Sequence, residues 1–284
     1  MALVLDDPAA VRARQRTAAA GGRAVRLPAP GGWPALRAAV LAQQAELTAP
    51  RPGAAGLCAV CHGPAAAGCA RCFQCDLHLQ CAGGSLADVV VPVAFAVKSG
   101  PHARRLWQYK SARAAPEAAA EASASLLALL LVFLRGHAGC VWRAGGIAGR
   151  PHVAVVPTAR GRPGEHPLRA LAAPYLAGPW AGLSARPGGQ RTRDLDPGRF
   201  LADPVPGAAV LLLDDTWTTG ASVQSAAMAL RRAGARSVAA VVLGRHVAGP
   251  WPAGVAGAAV APLCADACAV HDRPQDAAAR DSAR

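Results

Sequence analysis

The sequence predicts an α/β protein with a mostly parallel sheet flanked by helices, preceded by a small cysteine-rich module. From about residue 88, short runs rich in leucine or β-branched residues alternate with helical stretches, which is the pattern of a sheet covered on both faces. Residues 209–213 are apolar without alternation, as expected of a central parallel strand. Six of the nine cysteines fall within residues 57–81, which indicates a separate small module.

The individual elements follow from these patterns. Strands are predicted for "DVVVPVAFAV" (88–97), "HVAVVP" (152–157), "AVLLLDD" (209–215) and "SVAAVVLG" (237–244). Helices are predicted over 101–113 and 116–135, near 165–176, and over 220–233. The last of these begins at Gly220 and stops before Gly234, a residue type that commonly follows the end of a helix.

The chain divides into four parts. We expect a mobile N-terminal tail with one candidate helix over residues 1–56, the cysteine module over 57–84, the α/β domain over 85–250 and an irregular C-terminal tail over 251–284. The longest apolar run, "LLALLLVFL" at 126–134, is shorter than the ~20 residues that span a bilayer, so it predicts a buried helix and no membrane partner. Charged residues interrupt the N-terminus, which argues against a secretion signal and favours the cytoplasm.

The chain is strongly basic, with 30 Lys and Arg against 17 Asp and Glu and a formal net charge of +13. This balance favours anionic ligands such as phosphorylated metabolites, nucleic acid or acidic lipid. Lys98 and Lys110, the two lysines of the chain, bracket a basic stretch that also holds Arg104, Arg105, Trp107 and Tyr109. Cations interleaved with aromatic residues suit weak binding of single-stranded nucleic acid. The alternative is a basic amphipathic helix packed beside the active-site cleft.

The cysteine module carries a metal-binding pattern. "CAVC" at 58–61 and "CFQC" at 72–75 are two C-x2-C pairs whose spacing lets two knuckles close one tetrahedral site. Four thiolates leave no open position, so we predict a structural zinc ion bound by Cys58, Cys61, Cys72 and Cys75. Cys69 forms another C-x2-C with Cys72, which leaves the register open. The alternative is a set of reduced, partly buried thiols.

Two further groups of cysteines are less informative. "CADACAVH" places Cys264, Cys268 and His271 near the C-terminus, where they would complete or shield a metal site, but three residues without a fourth favour no site. Cys140 lies in an apolar helical stretch and is interpreted as a core thiol.

The stretch "LLLDDTWTTGAS" at 211–222 carries the main functional signal. Asp214 and Asp215 follow a buried strand, and a loop enters a helix beyond them, at the edge of the sheet where α/β proteins bind ligands. The unpaired N–H groups of the helix N-terminus and the hydroxyls of Thr218, Thr219 and Ser222 suit a phosphate. Carboxylates accept hydrogen bonds from sugar hydroxyls, so the whole stretch suits a sugar phosphate.

At these residues the sequence resembles the type I phosphoribosyltransferases, and over about residues 57–245 it resembles their ComF-like branch. The family motif is four apolar residues, two acids, two mostly apolar residues and Thr-Thr-Gly-x-Ser/Thr, which reads here as Val210 to Ser222. Thr216 and Trp217 depart from the usual aliphatic residues. The resemblance implies a type I phosphoribosyltransferase-like fold in which Asp214 and Asp215 orient the ribose of phosphoribosyl pyrophosphate. Its 5-phosphate would lie over Thr218, Thr219, Gly220, Ala221 and Ser222.

The resemblance implies further site residues and a cofactor. Thr158, Ala159 and Arg160 correspond to the pyrophosphate loop, and "ARPGGQRTRDLDPGRF" at 185–200 resembles the flexible loop that covers the site. Magnesium would bridge pyrophosphate and ribose oxygens, and catalysis would rest on positioning and electrostatics without a protein nucleophile.

Three functions are consistent with the sequence. The first is an enzyme that transfers the phosphoribosyl group to an unidentified acceptor, and the second is a non-catalytic ligand sensor or a ComF-like accessory protein in DNA uptake or handling. The third is a zinc-containing nucleic-acid module that uses the sheet as a platform.

Overall fold

The computed structural model describes residues 4–5, 32–158, 166–187, 193–248 and 259–270. The helices of these ranges are α1 (Gly32–Leu41), α2 (Phe73–Ala82), α3 (Pro101–Gln108), α4 (Pro116–Ala144), α5 (Pro167–Ala172) and α6 (Ala221–Arg232). The strands are β1 (Val4–Leu5), β2 (Thr48–Pro50), β3 (Val89–Val97), β4 (His152–Val155), β5 (Leu176–Ala177), β6 (Leu183–Ala185), β7 (Phe200–Ala202), β8 (Ala209–Trp217), β9 (Ser237–Val247) and β10 (Val260–Pro262). The predicted α/β class is confirmed.

Six strands form the main sheet in the order β10-β2-β3-β9-β8-β4. The four strands β3, β9, β8 and β4 are parallel, whereas β2 and β10 are added antiparallel at one edge. Helices connect the parallel strands, as a crossover between parallel strands requires. All four parallel strands therefore end at the same edge of the sheet, which brings together the residues that follow Val97, Val155, Trp217 and Val247.

Two apolar layers cover the two faces of this sheet. One layer packs α1, α3, α4 and α5 against the face that carries Leu211 and Leu213. The other packs α6 and the cysteine module against the face that carries Val210 and Leu212. Successive residues of β8 thus contribute to opposite layers, as the two-residue period of a strand requires.

The helix α4 has the length and apolar composition that would allow it to cross a membrane. In the structure, 67% of its most apolar 18-residue window is buried, because the helix packs against β3, β9 and the neighbouring helices. The burial agrees with the predicted buried helix and is compatible with a soluble protein. The helix continues to Ala144, past the predicted end at residue 135, because its buried face extends through Val141 and Trp142.

Several boundaries differ from the sequence pattern. Helix α3 ends at Gln108 instead of near residue 113, since the two residues that follow turn towards β8 and Ala115 is extended before Pro116. Strand β8 runs to Trp217, so Asp214 and Asp215 lie inside the strand and the loop is confined to residues 218–220.

The two terminal segments also contribute to the fold where the structure describes them. Helix α1 buries Leu36 and Val40 in the core, and β2 and β10 extend the sheet, although residues 1–56 and 251–284 are expected to form tails. Of these two segments, residues 1–3, 6–31, 251–258 and 271–284 lie outside the described residues.

Candidate functional site

The two acids of β8 lie on opposite faces of the sheet. Asp215 shares the parity of Leu211 and Leu213 and faces α3, whereas Asp214 shares the parity of Val210 and Leu212 and belongs to the α6 face. Both carboxylates are buried. The backbone N–H of Asp215 donates to Asp214 Oδ1 over 2.8 Å, which ties the two residues together at the end of the strand.

Asp215 is held by the two residues that follow α3. Lys110 Nζ donates to Asp215 Oδ1 over 2.7 Å, and the Tyr109 hydroxyl donates to Asp215 Oδ2. Burial acts to raise the pKa of Asp215, but the Lys110 ammonium and the hydrogen bonds from Lys110, Thr216 and Tyr109 outweigh it and hold the pKa below its ordinary value. Asp215 is therefore a charged, positioned carboxylate at the edge of the sheet.

The pKa of Asp214 is shifted in the opposite direction. Burial, followed by the negative charge of Asp215, raises the pKa of Asp214 well above its ordinary value of 3.8. The charge of Lys110 and backbone hydrogen bonds offset this only in part. The pKa values of the two adjacent acids are therefore shifted in opposite directions, because one faces a lysine and the other faces the apolar α6 layer.

The loop after the acids makes a tight entry into α6. Gly220 has a φ of +87°, a conformation that residues with a side chain rarely adopt. A Cβ atom at Gly220 would lie 2.1 Å from the Trp217 ring, so the loop rests directly on the indole. Trp217 is only 1% exposed and lies beneath the loop, not over the site. The N–H of Ala221 donates to Thr219 Oγ1 over 3.3 Å, and the N–H groups of the first turn of a helix point along its axis beyond its N-terminus.

Residues 193–199 cover this loop on its outer side. Thr219 Oγ1 donates to the Arg193 carbonyl over 3.0 Å, and the buried Arg199 guanidinium donates to Ser222 Oγ over 3.2 Å. Asp196 N donates to Ser225 Oγ over 3.0 Å, which fixes the segment to the first turns of α6. A cation and a helix N-terminus therefore meet at Ser222, and both favour an anion there.

The four predicted zinc ligands come together in the cysteine module. The Sγ atoms of Cys58, Cys61, Cys72 and Cys75 all lie within 4.8 Å of one another, and those of Cys61 and Cys72 are 3.7 Å apart. Cys69 and Cys81 are exposed and lie outside this cluster, which resolves the register left open by the sequence. Hydrogen bonds among the four thiols lower the pKa of Cys58 and raise the pKa of Cys75, which shows how closely these groups interact. Four soft sulfur donors without an open position fit a structural zinc ion.

A buried arginine joins the cysteine cluster to the loop. Arg245, near the end of β9, donates from Nη2 to Cys61 Sγ over 3.5 Å and from Nη1 to the Thr218 carbonyl over 3.1 Å. Its guanidinium also reaches the His246 carbonyl. Gly63 leaves the space for this side chain, because a Cβ atom there would lie 2.4 Å from Arg245 Nη2. Arg245 thus fixes the first residue of the loop relative to the sulfur cluster.

Of the other predicted site residues, only some lie where the sequence indicated. Thr158 follows β4 at the same sheet edge as the acids and is half-buried, whereas Ala159 and Arg160 lie outside the described residues. Cys264 is exposed and His271 lies outside the described residues, but Cys268 is buried beside His137 and Cys140. These three residues therefore do not form the cluster that their spacing in "CADACAVH" suggests.

The two aromatic residues of the basic segment before α4 lie in different environments. Tyr109 is buried against Asp215, whereas Trp107 on the outer side of α3 is 51% exposed. The sequence indicated this helix beside the cleft but not the contact of Tyr109 and Lys110 with Asp215. The only sequence signal for this contact was the use of lysine at position 110 in a chain whose other basic residues are nearly all arginine.

The sequence gives weaker signals for the two buried arginines. Arg245 interrupts an otherwise apolar strand in "VVLGRHV", which marks a polar contact at the strand end. Arg199 lies in the predicted covering loop, where nothing in the sequence distinguishes it from Arg186 or Arg193.

A separate cavity of about 540 Å³ lies at the opposite end of the strands. It is bounded by the start of β3 and by the cysteine module, and its walls are mainly apolar, including Leu57, Val60, Leu86, Val89 and Val90. It shares no residue with the loop or with the acid pair, so it is not the site that the sequence indicates.

Comparison with protein-family models, with curated proteins and with solved structures finds no match to this chain.

Proposed function

We propose that this protein binds phosphoribosyl pyrophosphate at the carboxyl edge of β8 and transfers its phosphoribosyl group to an acceptor. The observation that carries the proposal is a buried acid pair, with pKa values shifted in opposite directions, next to a positive-φ glycine loop that leads into α6. The sequence motif from Val210 to Ser222 supports the same function, and we propose a type I phosphoribosyltransferase-like fold as part of it. We also propose that the protein is located in the cytoplasm.

Two parts of the proposed site would bind two parts of the ligand, the 5-phosphate and the ribose. Arg199, Ser222 and the first turn of α6 would bind the 5-phosphate, because the helix dipole and the guanidinium both favour negative charge there. Asp214 and Asp215 would accept hydrogen bonds from the ribose hydroxyls. Lys110 and Tyr109 hold Asp215 in place, so that little reorganisation is needed when the sugar binds.

We expect a magnesium ion at this site to be held mainly by oxygen atoms of the substrate and not by direct protein ligands. Asp215 already accepts hydrogen bonds from Lys110 and Tyr109, and Asp214 Oδ1 accepts one from the backbone. The ion would supply charge neutralisation for the departing pyrophosphate while keeping most of its waters. The acids would orient the ribose and the water molecules around it.

Calorimetric titration tests the phosphate end. Wild-type protein is expected to bind phosphoribosyl pyrophosphate with magnesium, and also ribose 5-phosphate. Ser222→Ala removes the hydroxyl beside Arg199 and should weaken both ligands about tenfold, a loss of ~1.4 kcal/mol. Ser237→Ala is the matched control, because this serine lies at the start of β9, at the opposite end of the strands. Equal weakening by both variants, or no binding by the wild type, would overturn the proposed site.

The ribose end needs a different variant. Asp215→Asn would leave Lys110 without its charged partner, so a loss of binding would be ambiguous. Asp214→Asn is cleaner, since its carboxylate interacts with the backbone and has a raised pKa. We expect this variant to bind inorganic phosphate like the wild type but ribose 5-phosphate more weakly. Release of pyrophosphate in the presence of pooled bases and amines then distinguishes an enzyme from a sensor.

A second candidate function is the handling of single-stranded nucleic acid, favoured by one observation. The ring of Trp107 is half exposed on the same helix as the exposed Arg104, which provides a stacking surface beside a cation. An oligonucleotide should then bind with steep salt dependence, and Trp107→Ala should weaken it. We expect weak binding that phosphoribosyl pyrophosphate does not displace; tight, salt-resistant binding would instead favour this second function.

A further inference from the structure

A second cluster of metal-binding side chains lies between α4 and the C-terminal strap, which we define as residues 263–270. His137, Cys140 and Cys268 are all buried, and their ligand atoms lie within 4.8 Å of one another. The first two are three residues apart on α4 and therefore share one helix face. Cys268 comes from a segment more than 120 residues later in the chain, so sequence spacing does not reveal the cluster.

The hydrogen bond of His137 determines which ring nitrogen can bind a metal. His137 Nε2 lies 3.0 Å from the carbonyl oxygen of Ala265, which can only accept a hydrogen bond. The proton of the neutral ring is therefore on Nε2, and Nδ1 carries the lone pair. Nδ1 lies 4.0 Å from Cys140 Sγ, on the side of the cluster. A backbone carbonyl that fixes the tautomer in this way is the usual support for a metal-binding histidine.

The strap is held against α4 in a way that preserves this geometry. Its first residue, Leu263, donates its N–H to the Leu47 carbonyl over 2.8 Å. Gly136 allows the close approach of the strap, because a Cβ atom there would lie 3.3 Å from Ala265 O. Asp266 accepts a hydrogen bond from Arg37 on α1 over 2.9 Å. These contacts place Cys268 over the helix face that carries His137 and Cys140.

We propose that His137 Nδ1, Cys140 Sγ and Cys268 Sγ bind a second zinc ion, separate from the one at Cys58, Cys61, Cys72 and Cys75. Imidazole with two thiolates is a donor set that zinc prefers. Each thiol gives its proton to water on binding, and the two thiolates balance the charge of Zn²⁺, so that the buried site is neutral. Arg143 Nη2 lies 3.9 Å from Cys140 Sγ, so a cationic side chain borders the cluster. A ligand other than these three completes the tetrahedron.

Metal analysis of the full chain, purified under reducing conditions without chelator and reloaded with zinc, tests this site. The expected content is two zinc ions per wild-type chain and one per Cys268→Ser chain. Cys81→Ser is the matched control, because this cysteine is exposed and outside both clusters, and it should keep two ions. One zinc ion in the wild type, with Cys140 and Cys268 reacting as ordinary thiols or forming a disulfide, would overturn the proposal.

A second variant separates metal binding from the packing of the strap. His137→Gln retains a side-chain amide that can donate to Ala265 O but removes the Nδ1 ligand. We expect it to lose the second ion while the strap keeps the hydrogen-exchange protection of metal-free wild-type protein. X-ray absorption of the zinc-loaded wild type needs no variant, and it should show one imidazole nitrogen for every six sulfur ligands. A pure sulfur environment at one ion per chain would contradict the site.

Discussion

The cysteine cluster and the acid pair are both buried polar groups close to the ends of β8 and β9, but they are assembled in different ways. All four cysteines of the cluster fall within residues 58–75, so their spacing in the sequence nearly determines the site. Asp215 depends on Tyr109 and Lys110, which lie more than 100 residues earlier in the chain. The first site is local and its four thiols fit a structural metal ion, whereas the second is held by the sheet itself.

This difference predicts how each site responds to damage. Loss of the metal should loosen the cysteine module while leaving the sheet folded, because the sheet has its own two apolar layers. A change in the acid pair or its loop should alter ligand binding and local stability without releasing zinc. Arg245, which contacts Cys61 Sγ and the Thr218 carbonyl, is the described residue through which one site would influence the other.

Removal of a cysteine ligand should have the largest effect. Cys72→Ser is expected to release the zinc ion of the cysteine cluster and to lower the free energy of unfolding of the module by on the order of 4 kcal/mol or more. Cys69→Ser is the control, since Cys69 offers the alternative C-x2-C pairing but is exposed outside the cluster. Zinc content and hydrogen exchange over residues 57–82 measure the outcome. Equal zinc loss in both variants would mean that the register is different.

A substitution in the loop between β8 and α6 should have the next largest effect on stability. Comparison of two glycines isolates the contribution of the contact with Trp217. Gly220 and Gly207 both have positive φ, but only Gly220 has the Trp217 ring where a Cβ would be placed. Gly207→Ala should cost about 1–2 kcal/mol for the left-handed backbone. Gly220→Ala should cost a further ~1–3 kcal/mol, because the ring must move. Urea unfolding measures both, and equal losses would show that the Trp217 contact is unimportant.

The loop variant also changes how a loss of binding should be interpreted. A bulky residue at Gly220 would distort the loop before any phosphate arrived, so loss of binding by Gly220→Val would not identify the phosphate site. Ser222→Ala is the sharper probe, since it removes one hydroxyl and leaves the backbone in place.

Arg245→Met tests the connection between the two sites. The variant keeps an unbranched apolar stem but removes the hydrogen bonds to Cys61 Sγ and the Thr218 carbonyl, and it should lower the free energy of unfolding by about 2 kcal/mol. Because partners of metal ligands tune metal affinity, zinc should bind about tenfold more weakly at the cysteine cluster. Arg236→Met is the control, since Arg236 is exposed at the opposite end of β9. Unchanged zinc affinity in Arg245→Met would show that the two sites are independent.

The sequence predicted the parts of the molecule that depend on local pattern. The four parallel strands and α6 follow from apolar runs and glycine stop signals. The C-x2-C spacing predicted the four clustered cysteines, although Cys69 left their register open. The contact of Lys110 with Asp215 and the cluster of His137, Cys140 and Cys268 depend on tertiary packing across long stretches of chain. The end of β8 was predicted two residues early because polar residues at a strand terminus resemble a loop, although Thr216 and Trp217 continue the ladder with β9.

The smallest expected effect distinguishes the two acids by pH. Between the ordinary pKa of 3.8 and the raised pKa of Asp214, the folded protein binds a proton that the unfolded chain has lost, so this residue makes stability fall as pH rises. Asp215 acts in the other window: its lowered pKa contributes stability that is present above 3.8 and is lost as pH falls through its folded value. Asp214→Asn should therefore remove a decline of at most ~1.4 kcal/mol per pH unit above pH 4. The exposed Asp203→Asn serves as the control and should keep the wild-type slope. Urea unfolding from pH 4 to pH 8 measures this slope, and an unchanged slope in Asp214→Asn would mean that both acids are charged in the folded protein.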